Sequence, residues 1–346
     1  NSRVLRNVYL RQFFKWYYDE EGIEYKGEYP HTVAHLTTTR ENNRLQQSDM
    51  LTREEIRKMI ERCSNKRDKA FIALLYDTGA RVSELLDTNI SEFILPKESG
   101  LHYAEVRLNG KTGQWTVTII ESYPYLVDCL NEHPYVTSNP NSPLFVSLNN
   151  SHFGQRFTYQ GAVSLVKTSA KRAGIGGWGW ETLPNKEKVW RHLWGKSVTP
   201  HRLRHSRATE LAGQGWTESL LRQQFGWENS RPMPSLYVHL ATDAVKKKML
   251  KEHGIDEGIS IQEERQKAML NPKKCLVCGN VCPPTAVACH CGAVLSIADV
   301  EKVKKMKQET NNFMELINEV PLRPEIIKPN MKTFDYQYEL IKNDPF

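Results

Sequence analysis

Thr199-Pro200-His201-Arg202-Leu203-Arg204-His205, residues 199–205, opens a helix by two separate signals. Threonine is a good N-cap because its hydroxyl accepts from a backbone N–H that the first turn leaves unpaired. Proline suits the first helical position, where its missing N–H costs nothing. The helix is expected to continue through Ala212. His201 and Arg204 are three residues apart, so both project from one face and can reach one anion. His205 lies next to that face and is read as structural. Thr217 begins a second helix that stops at Gly226. Such a pair also has the form of a helix-turn-helix, which binds DNA without catalysis.

Upstream, Thr52 and Glu55 form a capping box, and Ile56, Met59, Ile60 and Cys63 recur at helical spacing. A second helix is expected from about Asp68 to Asp77, broken at Gly79. A third starts near Arg81 and buries Val82, Leu85 and Leu86. Between Tyr103 and Ile120 the texture turns β-branched and aromatic around Asn109-Gly110, a hairpin signal, with Lys111 beside the turn. A short strand is expected over Leu144 to Ser147, and Tyr159, Val163, Val166 and Ala170 mark a helix ending at Gly174. Gly176 to Gly195 is rich in tryptophan and is read as a surface insertion. The fold class is therefore mainly α with a small antiparallel β-sheet.

The 346 residues are 39% hydrophobic, an ordinary globular fraction. The longest apolar run, Ala70 to Tyr76, is far short of the ~18 residues that span a bilayer. No secretory signal opens the chain, so a soluble protein of the cytoplasm is expected, with no membrane partner. The chain starts at Asn1 inside a helix-like stretch from Val4 to Tyr18, which suggests that an N-terminal piece precedes it. Net charge is +7, and basic residues gather at Arg202, Arg204 and Arg207, at Lys246 to Lys248, and at Lys302, Lys304, Lys305 and Lys307. Nucleic acid is the leading partner class. Five of seven cysteines fall between Cys275 and Cys291, while Cys63 and Cys129 stand alone in apolar surroundings. A metal site in a reducing compartment follows.

Four stretches occur in one order: Thr78-Gly79-Ala80-Arg81-Val82-Ser83-Glu84-Leu85, then His201-Arg202-Leu203-Arg204-His205, Gly226-Trp227, and Ser235-Leu236-Tyr237-Val238-His239. Over about residues 50 to 250 the chain thereby resembles the tyrosine recombinases, the phage-type integrase family. The resemblance implies that Arg81 grips the scissile phosphate with His201, Arg204 and Trp227, that Tyr237 is the nucleophile, that Lys111 is the hairpin lysine, and that Glu84 holds the Arg81 guanidinium. It also implies four protomers holding two DNA duplexes with paired attachment sites. Three features depart from the family pattern: the N-terminal DNA-clamping domain is nearly absent, Trp227 stands where histidine is more frequent, and the tryptophan-rich segment lengthens the connection before His201.

Elementary chemistry asks for the same set. A phosphodiester gathers negative charge as it is attacked, and two planar guanidiniums, Arg81 and Arg204, suit that change. A tyrosine with its ordinary pKa of about 10 is protonated at neutral pH and needs cationic neighbours or a proton acceptor, which the arginines and His201 offer to Tyr237. The departing 5′-oxygen needs a proton, a task for Lys111 as general acid. No phosphate-cradling glycine loop or carboxylate cluster accompanies these residues, so neither ATP nor a catalytic metal is expected. The bond energy would be kept in a 3′-phosphotyrosine link and returned on rejoining.

Cys275-x-x-Cys278 and Cys289-His290-Cys291 offer four thiolates in a pattern close to a zinc ribbon, with Cys282 and His290 as alternative ligands. The module resembles the ribbons appended to many archaeal integrases, and its zinc would be structural. The expected organisation is the end of a core-binding domain and linker over 1–47, a catalytic domain over 48–251, a charged linker over 252–273, the zinc ribbon over 274–296 and a charged helical tail over 297–346. The expected activity is site-specific DNA recombination that integrates or excises a mobile element, close to the nucleoid. A type IB topoisomerase-like relaxing enzyme and a helix-turn-helix regulator are the alternatives.

Overall fold

The computed structural model describes residues 2–37, 46–96, 101–110, 113–182, 188–228, 233–240, 249, 253 and 268–295. The chain divides into two compact units, Asn1–Asp49 and Met50–Phe346. In the first, α1 (Ser2–Glu20) is tied to the short α2 (His31–Ala34) by Arg11. Its guanidinium donates to the carbonyls of Val33 and Ala34 at 3.3 and 2.6 Å, and lies 5.0 Å from the Tyr29 ring centroid.

The second unit is built around one central helix. Thr52 caps α3 (Arg53–Glu61) with the full capping box: Glu55 N–H donates to Thr52 Oγ1, and Thr52 N–H to Glu55 Oε2. Its buried stripe of Ile56, Met59 and Ile60 belongs to the same core as α4 (Lys66–Thr78), which is buried continuously from Ala70 to Thr78. A helix apolar on every side must lie in the interior, and α4 packs against neighbours around its circumference. It ends at Gly79, whose φ of 62° suits a left-handed cap. The chain then enters α5 (Val82–Leu86), which buries Val82, Leu85 and Leu86 as expected.

A three-stranded antiparallel sheet follows: β1 (Phe93–Ile94), β2 (Ala104–Gly110) and β3 (Gly113–Ile119), in that spatial order. Ala104, Val106 and Leu108 face the core at alternate positions. The hairpin turns later than Asn109-Gly110 suggests. Asn109 pairs with Gln114 and Gly110 with Gly113, which leaves 111 and 112 between the strands and outside the described residues. Gly110 answers a packing need: a Cβ there would lie 2.6 Å from Glu84 Oε1 and 3.0 Å from the Trp115 ring.

Beyond the sheet, α6 (Tyr123–Asn131) packs on α4. Leu144 to Ser147 is not a strand. It is buried through Leu144, Phe145 and Val146, but its pairing is a single bridge, Val146 to Arg156. In α7 (Tyr159–Arg172), capped by Thr158, the buried face is Ala162, Val166, Ser169 and Ala170. Tyr159 is exposed and Val163 half-buried, so of the four residues that mark the helix only Val166 and Ala170 are fully in the core. Small residues let α7 approach the core closely, and tyrosine keeps its polar end in water.

The tryptophan-rich segment is a hairpin, β4 (Gly176–Thr182) paired antiparallel with β5 (Lys188–Gly195). Trp180 and Trp190 meet edge to face at 5.4 Å and are both exposed, while Lys167 lies 4.0 Å from the Trp178 ring centroid. Three helices complete the unit: α8 (Pro200–Gly213), α9 (Glu218–Phe225) and α10 (Met233–Leu240). Thr199 and Thr217 cap α8 and α9 through their side chains, as expected. A last small ladder, β6 (Lys273–Lys274) with β7 (Val281–Cys282), carries the cysteine cluster. No helix among the described residues is long and apolar enough to cross a membrane.

α8 is joined to α4 by a buried ion network. Arg207 Nη2 donates to Asp77 Oδ1 at 2.9 Å, and Arg207 also pairs with Glu210. Glu210 accepts from Arg53 Nε and from Tyr76 Oη. The other Asp77 oxygen accepts from Ile120 N, Ser122 N and Ser122 Oγ. A single carboxylate thus connects the end of β3, α4 and α8.

Candidate active site

Arg81 sits at the N-terminal edge of α5 with extended backbone. Its own N–H donates to Glu84 Oε2 at 2.7 Å and its Nη1 to Glu84 Oε1 at 2.5 Å, so Glu84 fixes both ends of the residue. Glu84 is buried, whereas the Arg81 side chain is 38% exposed. The Glu84 carboxylate also lies 3.9 Å from Arg204 Nη1. One carboxylate between two guanidiniums leaves an excess positive charge on the exposed side, where an anion can meet it.

Arg204 projects from α8 and is 5% exposed. Nη1 donates to the Gly79 carbonyl and Nη2 to the Phe225 carbonyl, both at 2.7 Å. These carbonyls close α4 and α9, so the cation sits at the negative ends of two helix dipoles. Gly79 is required for the approach, because a Cβ there would overlap the Phe225 ring. Burial, and then the nearby Arg81, bring the Arg204 pKa down to about 10, which leaves it charged at neutral pH.

His201 is exposed in the first turn of α8. Partial desolvation, Arg204 and Arg81 all lower its pKa, so the ring favours the neutral form. His205 follows one turn later, with ring centroids 6.3 Å apart. Tyr237, on α10, is only 1% exposed. Its ring lies flat on Trp227, with centroids 5.3 Å apart and planes 4° apart, and Trp227 lies on Phe225 at 4.8 Å. Arg204 Cζ lies 5.3 and 5.6 Å from the Phe225 and Trp227 centroids, so the guanidinium adjoins this stack. Burial pushes the Tyr237 phenol up to about 12, with Arg204 opposing the shift.

The structure therefore brings Arg81, Glu84, His201, Arg204, Trp227 and Tyr237 into one continuous cluster. Lys111 and its side chain lie outside the described residues, although Gly110 beside it packs against Glu84. One contact lies beyond what the sequence suggests: His205 Nδ1 lies 2.6 Å from Tyr237 Oη. Burial first, then His201, Arg202 and Arg204, hold the His205 ring down to about 4. At neutral pH both partners are uncharged; with the His205 proton on Nε2, the phenol donates and Nδ1 accepts. The partner of His205 is 32 positions away on another helix, a relation that no local sequence pattern carries.

The Sγ atoms of Cys275, Cys278, Cys289 and Cys291 all lie within 4.8 Å of one another. Two pairs stand at 3.7 and 3.5 Å, close to the ~3.8 Å edge of a tetrahedron with metal–sulfur bonds of about 2.3 Å. These four residues could hold a metal ion. Cys282 is buried outside that set, and His290 turns away from it to Asp128, at 3.0 Å.

Residues 49–243 match the phage integrase family. The chain belongs to that family. Among curated proteins, the chain is 24% identical over 229 residues to transposase A from transposon Tn554 of Staphylococcus aureus, covering 64% of this chain and 55% of the relative. It is 29% identical over 182 residues to the tyrosine recombinase XerC of Roseiflexus sp., covering 50% of this chain and 48% of the relative. Its match thus spans about half the length of each. Among solved structures, a crystal structure of XerA recombinase aligns at a TM-score of 0.44 with 23% identity, covering 69% of this chain and 72% of that one.

Proposed function

We propose that this integrase cuts and rejoins double-stranded DNA at specific sites through a 3′-phosphotyrosine on Tyr237, for the integration or excision of a mobile element. The observation that carries the proposal is the linked cluster itself: two guanidiniums held by one buried carboxylate, a neutral His201 beside them, and a tyrosine stacked on the ring that adjoins Arg204. Arg81 and Arg204 bind the non-bridging oxygens and gain most when charge builds there. His201 donates to the same oxygens. Trp227 fixes the plane of the nucleophile. Lys111 protonates the leaving 5′-oxygen. The energy of the broken bond stays in the phosphotyrosine, so neither ATP nor a catalytic metal enters. Four protomers on paired attachment sites, in the cytoplasm beside the nucleoid, complete the proposal.

The direct test is a detergent-stable protein–DNA adduct on nicked duplexes that carry candidate attachment sequences. Wild type is expected to form it and Tyr237→Phe to bind DNA without forming it. Specific binding with no adduct from any duplex would favour a regulator. Relaxation of arbitrary supercoiled DNA would favour a topoisomerase-like enzyme.

We also propose that Cys275, Cys278, Cys289 and Cys291 hold a structural zinc. The ion would order a segment that meets α6 through Tyr125 and Thr285 and through Asp128 and His290. Metal analysis is expected to give one zinc per chain, and Cys278→Ser to lose it. Full zinc content in that variant would exclude this ligand set.

A further inference from the structure

Resting on the recombinase function proposed above, we propose that His205 takes the proton of Tyr237 as Oη attacks the scissile phosphorus, and returns it when the strand is rejoined. The residue expected to help the nucleophile is His201, but His201 is exposed and lies among the guanidiniums that face the phosphate. The ring in contact with the reacting oxygen is His205, at 2.6 Å. It stands one helical turn after His201 in α8 and is half-buried, whereas His201 is exposed.

Three features suit His205 to the task. Its Nδ1 is within hydrogen-bond reach, the first requirement for a general base. Burial, then His201, Arg202 and Arg204, keeps the ring unprotonated in the free protein, and the negative charge of a bound phosphodiester beside these groups raises its basicity as the reaction starts. The flat Trp227 ring holds the phenol against it, so the proton path is set before DNA arrives. Tyr237 is nearly inaccessible in the free protein, so bound DNA must open the seat while α8 stays fixed by its ion pairs. The step balances. The O–H bond of Tyr237 breaks as N–H forms on His205. The Oη–P bond forms as P–O5′ breaks, and Lys111 supplies the proton to the 5′-oxygen. Rejoining runs each transfer backwards.

The experiment uses the full chain in single-turnover cleavage of a duplex that gives an adduct with wild type. Two versions of the scissile linkage are compared, one with the natural 5′-oxygen and one with a 5′-bridging sulfur. Sulfur leaves without a proton, so it rescues loss of the general acid but not loss of the base. His205→Ala is expected to slow adduct formation about 100-fold or more on both versions, and added imidazole to restore part of the rate. His205→Asn, which accepts a hydrogen bond but carries no proton, is expected to stay slow and covers the case in which alanine unfolds the protein. Lys111→Ala is expected to be slow on oxygen alone. Wild-type or faster cleavage by the His205 variants would overturn the assignment and make the bond a mere resting place for Tyr237. Rescue of those variants by sulfur would move His205 to the leaving-group side and overturn it equally. Absence of adduct from wild type on every duplex is a separate failure, which overturns the recombinase function and the His205 role together.

Discussion

The two sides of the site are held in different ways. On the phosphate side, α4 and α8 are locked by Asp77, Arg207, Glu210 and Arg53, and Arg204 is pinned by two carbonyls. Every link there is a charged hydrogen bond with little exposure. On the nucleophile side, α10 is eight residues long, and among the described residues Tyr237 is seated by a neutral hydrogen bond to His205, a tilted ring contact with it and a stack on Trp227. Neutral hydrogen bonds contribute about 0.5–1.5 kcal/mol net, whereas breaking a buried ion pair costs about 3–5 kcal/mol. An electrophile cradle must be rigid to gain from charge that builds in the transition state. A nucleophile must be uncovered to meet the phosphate and covered again after rejoining. The contrast in strength matches the contrast in task.

The largest effect should come from breaking the rigid side. Asp77→Ala removes the partner of Arg207 and the acceptor of three donors near the end of β3. A buried guanidinium would lose its closest carboxylate, and a loss of about 3–5 kcal/mol is expected. Denaturant unfolding should show it as a lower midpoint, and adduct formation should fall with it, because Arg204 lies on α8 and Arg81 follows the end of α4, the two helices that Asp77 joins. Unchanged stability would mean that Glu210 and Glu121 suffice for Arg207, and that the rigid side is less dependent on this carboxylate than its geometry implies.

What could be read from the sequence divides along a similar line. Helix starts at Thr52, Thr199 and Thr217, and stops at Gly79 and Gly226, were legible because a cap is a contact between neighbours in the chain. The arginines, His201, Trp227 and Tyr237 were legible as a set because their motifs occur in order. Asn109-Gly110 misled, since a glycine needed for close packing on Glu84 and Trp115 has the same letter as one needed for a turn. Tyr159, Val163, Val166 and Ala170 marked α7 as a helix, but not which side is buried, because a tyrosine on a helix can remain largely exposed. The hairpin of β4 and β5 could have been suspected from Trp178 and Trp180 against Trp190 and His192, which alternate on paired strands. A register shift at Gly177/Trp178 interrupts that pattern. His205 was read as structural because its meaning depends on α10, and tertiary partners are not written in local spacing.

A smaller change sharpens the comparison from the nucleophile side. Trp227→His keeps a flat ring at the position but covers much less of Tyr237. Aromatic pairs contribute about 0.5–1.5 kcal/mol beyond area burial, so a stability loss of about 1 kcal/mol is expected, well below that of Asp77→Ala. The more telling readout is access to Tyr237. Nitration of a phenol requires that the reagent reach it, and the wild-type ring is covered by Trp227 on one face while its hydroxyl is occupied by His205. Faster nitration of Tyr237 in the variant, located by peptide mapping, with Arg204 still pinned and overall stability nearly kept, would show that the seat can open without disturbing the cradle. Slow nitration in a stable variant would mean that packing around α10 holds the tyrosine more firmly than its contacts with Trp227 and His205 do. The division between a rigid cradle and a releasable nucleophile would then have to be abandoned.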